Sequence, residues 1–294
     1  MKGDLKTAWA EGKPLLCDGA MGTMLQAAGL QPGECPERWC VDRPDDVRAI
    51  YRAYRDAGSD IVECNSFGGS RYKLRFHGLE SRAHEINEAA ASLARDVAGE
   101  EGIVLATIGP TGEFMEPYGT ETEEAFVEAF AEQAEAFASG GADAVIVETM
   151  TGLEEAGAAV RAVREHSDLI VLVSFTFDPQ LHGGFATMMG VTPEQFAGEM
   201  ASLGVDAIGT NCGNGPEGII EVVRQLRAAS GLPIIAMPNA GMPVIEDGHT
   251  VFKATPGEMA IAVPRLIDAG ANIIGGCCGT TPEHIAAMRR TMDA

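Results

Sequence analysis

No apolar run in the 294 residues approaches the roughly 20 that a membrane-spanning helix needs, so no membrane association is expected. Basic residues are few. Lys and Arg number 21 against 43 Asp and Glu, and the net charge of -22 repels phosphate backbones, which argues against nucleic acid as a partner. The opening segment MKGDLKTAWAEGKP lacks the charged-then-apolar signature of a secretory signal, so the expectation is a soluble, cytoplasmic chain. A closed disulfide set is also missing: seven cysteines is an odd count, two are adjacent, and a cytoplasmic chain keeps its thiols reduced. The 36 Gly and 15 Pro are scattered, so nothing reads as low-complexity, and aromatics make up only 6%.

What is present is a strict alternation of short apolar runs and longer amphipathic ones. The strand candidates are Leu15–Cys17, Ile61–Cys64, Ile103–Ile108, Ala144–Val147, Ile170–Phe177, Ala207–Thr210, Pro233–Met237 and Asn272–Ile274. The helix candidates are Asp45–Ala57, Ser81–Val97, Thr122–Ser139, Leu153–His166, Pro193–Leu203, Glu217–Ala229, Pro256–Ala269 and Pro282–Met292. Three helices open with Thr-Pro, a Thr N-cap followed by Pro at the first helical position. Strands that recur after helices pair in parallel, and eight such units filling the chain predict one α/β domain over residues 1–294, a (β/α)₈ barrel. A doubly wound open sheet is the alternative, but the first strand runs into Asp18-Gly19-Ala20-Met21-Gly22-Thr23, which is not a dinucleotide-binding fingerprint. The long Gly- and Met-rich stretch Asp178–Gly190 reads as a mobile loop over the barrel mouth.

A barrel carries its active site at the C-terminal strand ends, and the reactive residues collect there. Cys212 ends the sixth strand, within Asn211-Cys212-Gly213-Asn214-Gly215, and the adjacent Cys277 and Cys278 end the eighth. Three thiolates from rigid strand ends make a soft, zinc-preferring set with a fourth position left open. Cys17, Cys35, Cys40 and Cys64 read as packing residues. The six histidines, His77, His84, His166, His182, His249 and His284, show no ligand spacing; His182 and His249 fall in expected rim loops. Asp18 and Glu148 also end strands, where two carboxylates either bind an ammonium group or act as an acid–base pair, unless they are simply salt-bridged within the barrel.

These segments, together with Asn65-Ser66-Phe67-Gly68-Gly69, Gly109-Pro110-Thr111-Gly112, Glu148-Thr149, Pro238-Asn239-Ala240-Gly241 and Gly275-Gly276-Cys277-Cys278-Gly279-Thr280-Thr281-Pro282, resemble the homocysteine S-methyltransferase family across nearly the whole chain. The resemblance implies Zn²⁺ on Cys212, Cys277 and Cys278, with the homocysteine sulfur as incoming ligand. It implies that Asp18 and Glu148 hold the amino group, that the backbone around Ser66 and Phe67 receives the carboxylate, and that Asn239 lies near the zinc. The expected reaction is direct S-methylation of the zinc-activated thiolate, giving methionine.

The resemblance leaves the methyl donor open. A chain of this length holds the homocysteine barrel alone, so the donor expected is methylcobalamin supplied by a corrinoid-binding partner domain or protein, met by exposed apolar loops such as Phe185–Met189. The alternative is betaine or another small onium compound, which would favour an aromatic cage; Phe114 and Tyr118 are the nearest candidates. Two other classes remain: a zinc-dependent aldolase-like lyase, for which the rim offers no clear Lys or His, and a non-catalytic zinc- or thiol-binding barrel.

Overall fold

The protein is described from a computed structural model covering residues 5–213, 215–246 and 249–294; Asn214 at the sixth strand end lies outside them. Eight strands form one parallel sheet: β1 Leu15–Leu16, β2 Ile61–Glu63, β3 Ile103–Ile108, β4 Ala144–Met150, β5 Ile170–Phe175, β6 Ala207–Cys212, β7 Ile234–Pro238 and β8 Ile273–Ile274. Hydrogen-bonded neighbours run from β2 in order to β8 and then to β1, leaving β1 beside β2. Helices α1 Pro44–Asp56, α2 Ala83–Ala98, α3 Glu123–Ser139, α4 Leu153–His166, α5 Pro193–Ser202, α6 Pro216–Ala229, α7 Pro256–Ala269 and α8 Pro282–Met292 surround it. This is the expected (β/α)₈ architecture.

Strand periodicity divides the core into two layers. Leu15, Ile61, Leu105, Ile146, Leu172, Ile235 and Ile273 pack on one another as an inner cluster, joined by Leu5 from a short helix, Leu5–Ala10. The alternate residues, including Leu16, Val62, Val104, Val145, Val171 and Ile274, pack with the apolar faces of the helices. The Thr-Pro starts cap as read from the sequence. Thr192 and Thr255 form reciprocal capping boxes with Gln195 and Glu258. At α8 the Thr281 N–H donates to His284 Nδ1 at 3.1 Å, so the other ring nitrogen carries the proton and donates to the Ala254 carbonyl at 2.9 Å.

The barrel floor carries a fourfold device. Gly58-Ser59-Asp60, Gly141-Ala142-Asp143, Gly204-Val205-Asp206 and Gly270-Ala271-Asn272 lead into β2, β4, β6 and β8. Each glycine is left-handed, with φ of 101°, 86°, 68° and 113°, which turns the chain out of the preceding helix. Each Asp or Asn side chain then accepts a backbone N–H from the preceding strand: Leu16 at 2.8 Å, Val104 at 2.8 Å, Val171 at 2.9 Å and Ile234 at 2.9 Å. An arginine binds each of the four: Arg289, Arg95, Arg164 and Arg227. Between β1 and β2, where no ladder forms, Asp60 at the floor is matched by Asp18 at the rim, whose Oδ2 accepts the Glu63 N–H at 2.8 Å.

Three expectations are corrected. The stretch Asp178–Gly190 is not a bare loop: Asp178–Pro179 pairs antiparallel with Phe185–Ala186, and the Thr187 hydroxyl donates to the Thr151 carbonyl at 2.7 Å. After β7 a second ribbon forms, Pro243–Glu246 with His249–Phe252, so His249 opens a strand. The fourth strand continues past Val147 to Met150 through a register shift, because the polar pair Glu148-Thr149 belongs to the strand itself.

Candidate active site

Cys212 is the last residue of β6 and has φ of +61°, a left-handed conformation that a side chain with a Cβ seldom adopts. Pairing with Pro238 of β7 holds it there. Cys277 and Cys278 follow β8 on a turn in which Gly276 is required, since a Cβ there would come within 2.4 Å of the Thr280 hydroxyl. The three Sγ atoms lie within 4.8 Å of one another, and Cys212 and Cys277 are 3.0 Å apart. Tetrahedral zinc at its usual sulfur distance spaces thiolates about 3.8 Å apart, so seating the ion asks for a sub-ångström opening. Without a metal the cluster shares protons. Thiol donation from Cys212 and Cys277 holds Cys278 down to about 3, while the donors themselves are pushed above the ordinary thiol range. The donor set fits a soft divalent ion that replaces those shared protons. Asn239, just after β7, donates from Nδ2 to the Gly213 carbonyl at 3.1 Å and keeps a buried Oδ1 with no partner among the described residues.

Across the mouth lie three carboxyl groups, Asp18 and Glu148 buried and Glu63 half-buried. Asp18, 1% exposed, follows β1, Glu63 ends β2 and Glu148, 9% exposed, lies in β4. None of the ion pairs among the described residues involves them, so the salt-bridge reading of Asp18 and Glu148 is set aside. Burial and then the neighbouring Glu63 charge raise Asp18 and Glu148 well above the carboxylate range, and burial raises Glu63. Glu63 accepts the Thr107 hydroxyl at 2.7 Å, and after burial it is the Glu63 charge that raises the neighbouring Glu148. Such a cluster is short of positive charge and matches an incoming ammonium. Glu63 was missed in the sequence because it closes an apolar run; an unpaired acid at a barrel strand end was the available signal.

The loop after β2 supplies the third wall. Its amides are spoken for in turn. Asn65 N–H donates to the Tyr51 hydroxyl at 2.7 Å, Ser66 N–H to the Cys64 carbonyl at 2.8 Å, Gly68 N–H to Glu37 at 2.8 Å, and Gly69 N–H to the Ser66 carbonyl at 2.9 Å. Of the amides from Asn65 to Gly69, that of Phe67 is the one with no acceptor among the described residues. The Ser66 side chain is buried and ties to Thr107, so its part is structural. A cavity of ≈ 420 Å³ joins these walls, lined among others by Glu63, Phe67, Glu148, Cys212, Cys277 and Cys278. Phe67 is the one aromatic lining residue among the described residues; Phe114 and Tyr118 are exposed on the loop after β3 and do not line the cavity. The other residues read as packing behave so: Cys17, Cys35, Cys40 and Cys64 are buried thiols, all raised chiefly by burial. No histidine among the described side chains joins the thiols; His84 and His166 face surface glutamates.

The chain is a (β/α)₈ barrel whose strand-end rim carries a three-thiol cluster and a set of carboxyl groups. The family description "Homocysteine S-methyltransferase" matches residues 15–292, and the chain belongs to that family. It is 36% identical over 292 residues to methionine synthase of Mycobacterium tuberculosis and 35% over 303 residues to that of Mycobacterium leprae. These matches cover 91% and 94% of this chain but 24% of each relative, so the chain spans about a quarter of their length. Among solved structures, the metallated homocysteine methyltransferase MmuM of Escherichia coli superposes with a TM-score of 0.82 at 24% identity, over 97% of this chain and 99% of that one. Its apo form gives 0.74 at 25% identity, covering 95% of each chain. Among the described residues no helix is long and apolar enough to cross a membrane.

Proposed function

We propose that this barrel binds zinc through Cys212, Cys277 and Cys278 and methylates homocysteine to methionine, with methylcobalamin presented by a partner domain or protein as donor. The observation that carries the reading is that the thiol cluster and the carboxyl groups of Glu63 and Glu148 line one cavity of ≈ 420 Å³, with Asp18 buried behind them. Zinc there would keep the substrate sulfur deprotonated at neutral pH, against an ordinary thiol pKa of about 8.5. Asp18, Glu63 and Glu148 hold the substrate ammonium, and the free Phe67 N–H receives its carboxylate. Clamped at both ends, the amino acid points its sulfur at the cysteines and leaves the mouth to the donor. A lone ring is not a cage for an onium ion, which favours a donor delivered from outside. The exposed Leu181, Met188, Met189, Met242 and Ile245 on loops after β5 and β7 suit contact with such a carrier.

The test is methionine formation by zinc-loaded protein and homocysteine, with methylcobalamin, betaine and S-methylmethionine offered in parallel. Product with methylcobalamin supports the proposal. Product with a small onium donor alone replaces the donor, and no product despite bound zinc and homocysteine leaves a non-catalytic binding barrel.

A further inference from the structure

Asn211 is fully buried next to Cys212, and its side-chain amide uses its entire bonding capacity. Oδ1 accepts the Ser174 hydroxyl at 2.6 Å and the Thr149 N–H at 3.1 Å. Because a backbone N–H can only donate, the oxygen must face Thr149, and the orientation of the amide follows. Nδ2 donates to the Thr149 hydroxyl at 2.7 Å and reaches Cys212 Sγ at 3.6 Å and Cys277 Sγ at 3.9 Å. One planar group therefore touches two of the three thiols and both polar ends of Thr149.

Thr149 directly follows Glu148 and has φ of +59°. A β-branched residue in that region is strained and persists only where its surroundings hold it. Two bonds from Asn211 do so here. The same amide thus fixes the strand end that carries Glu148 and the sulfurs across the mouth.

We propose that Asn211 is a positioning residue that sets the span between the metal-binding thiols and the ammonium-binding carboxylates, and so selects the length of the amino-thiol substrate. The inference rests on the proposed function. Homocysteine and cysteine differ by one methylene, which a rigid site of this kind distinguishes by about 10–200-fold. The amide also donates toward two sulfurs, and outer-shell partners of this sort typically change metal affinity by about 10–100-fold when replaced.

The experiment compares wild type with Asn211→Asp, which keeps the shape, removes the Nδ2 donor and turns an oxygen toward the thiols. Zinc affinity by chelator competition is expected to fall about 10-fold or more. The sulfur-to-metal charge-transfer band of the cobalt-substituted protein is expected to shift. The preference for homocysteine over cysteine, measured as binding constants, is expected to fall toward unity. Ser174→Ala leaves the amide in place but removes its shortest bond, and the same changes should appear at smaller size; it decides the matter if Asn211→Asp does not fold. Unchanged zinc affinity and unchanged preference overturn the inference. Weaker zinc binding with unchanged preference also overturns it, since Asn211 would then act on the thiols alone. A wild-type protein that holds zinc but binds no homocysteine defeats the proposed function instead, and is recognised before any variant is made.

Discussion

Glu148→Gln should move ligand affinity and stability in opposite directions. The substitution keeps size and removes one potential charge from the buried group with Asp18 and Glu63. In the bound state the ammonium loses a charge-assisted partner, worth about 1.5–3 kcal/mol, so the homocysteine dissociation constant should rise roughly 10–150-fold. In the free protein the sign reverses. Glu148 sits above the ordinary carboxylate range because burial and the Glu63 charge oppose its ionisation. A raised folded pKa means the native state binds more protons than the unfolded state once the pH passes the ordinary value near 4.3. The stability of the free wild type therefore falls as pH rises from that value toward the raised one. Glutamine has no proton to lose, so the variant should show a flatter pH profile and, at neutral pH, a melting temperature about 2–4 °C higher, corresponding to roughly 1 kcal/mol. Calorimetric titration with homocysteine and melting curves at several pH values read both effects. A variant that melts lower and binds homocysteine as well as wild type would refute the reasoning and make Glu148 a structural residue.

Cys212→Ala, Cys277→Ala and Cys278→Ala should each lose zinc while the circular dichroism of the barrel is retained; wild-type zinc content in any one removes that residue from the ligand set. If Glu63 holds the substrate ammonium as proposed, Glu63→Gln should raise the homocysteine KM more than it lowers kcat; an unchanged KM in steady-state assays counts against the third carboxylate. Asp206→Ala should cost about 1–3 kcal/mol of stability by stripping the Val171 N–H and Arg164 of their partner, with homocysteine affinity unaltered. Denaturant unfolding and ligand titration on the same preparation check that separation.

Much of the fold was legible because a parallel barrel writes its strands as uninterrupted apolar runs, and β3 at Ile103–Ile108 is read without error. Thr-Pro starts located three helices for a local reason, the orphan N–H groups that a Thr hydroxyl accepts. The short helix Met21–Ala27 and the ribbons after β5 and β7 were not legible, since two- to seven-residue elements carry too little periodicity. The floor repeat Gly-x-Asp or Gly-x-Asn stands plainly in the sequence; the signal is a glycine two residues ahead of three Asp and one Asn at four helix ends. In the site, the thiols announced themselves by chemistry and spacing. Glu63 and Asn211 did not, because Glu63 ends one apolar strand and Asn211 is the penultimate residue of another, and only the assembled barrel brings them to the same rim.

The unladdered edge between β1 and β2 has a consequence for motion. That edge is laced by Asp60 at one end and by Asp18 at the other, and Asp18 is also among the groups assigned to the ligand. Oδ2 of Asp18 is spent on the Glu63 amide, while among the described residues Oδ1 has only the weak Cys17 thiol at 3.8 Å. A cation seated there is a clasp on a cylinder that is otherwise stitched on seven sides out of eight. The Glu63 amide proton then becomes a reporter: its exchange with deuterium should slow when the site fills, while the amides of β5, ladder-bound on both sides, keep their rates.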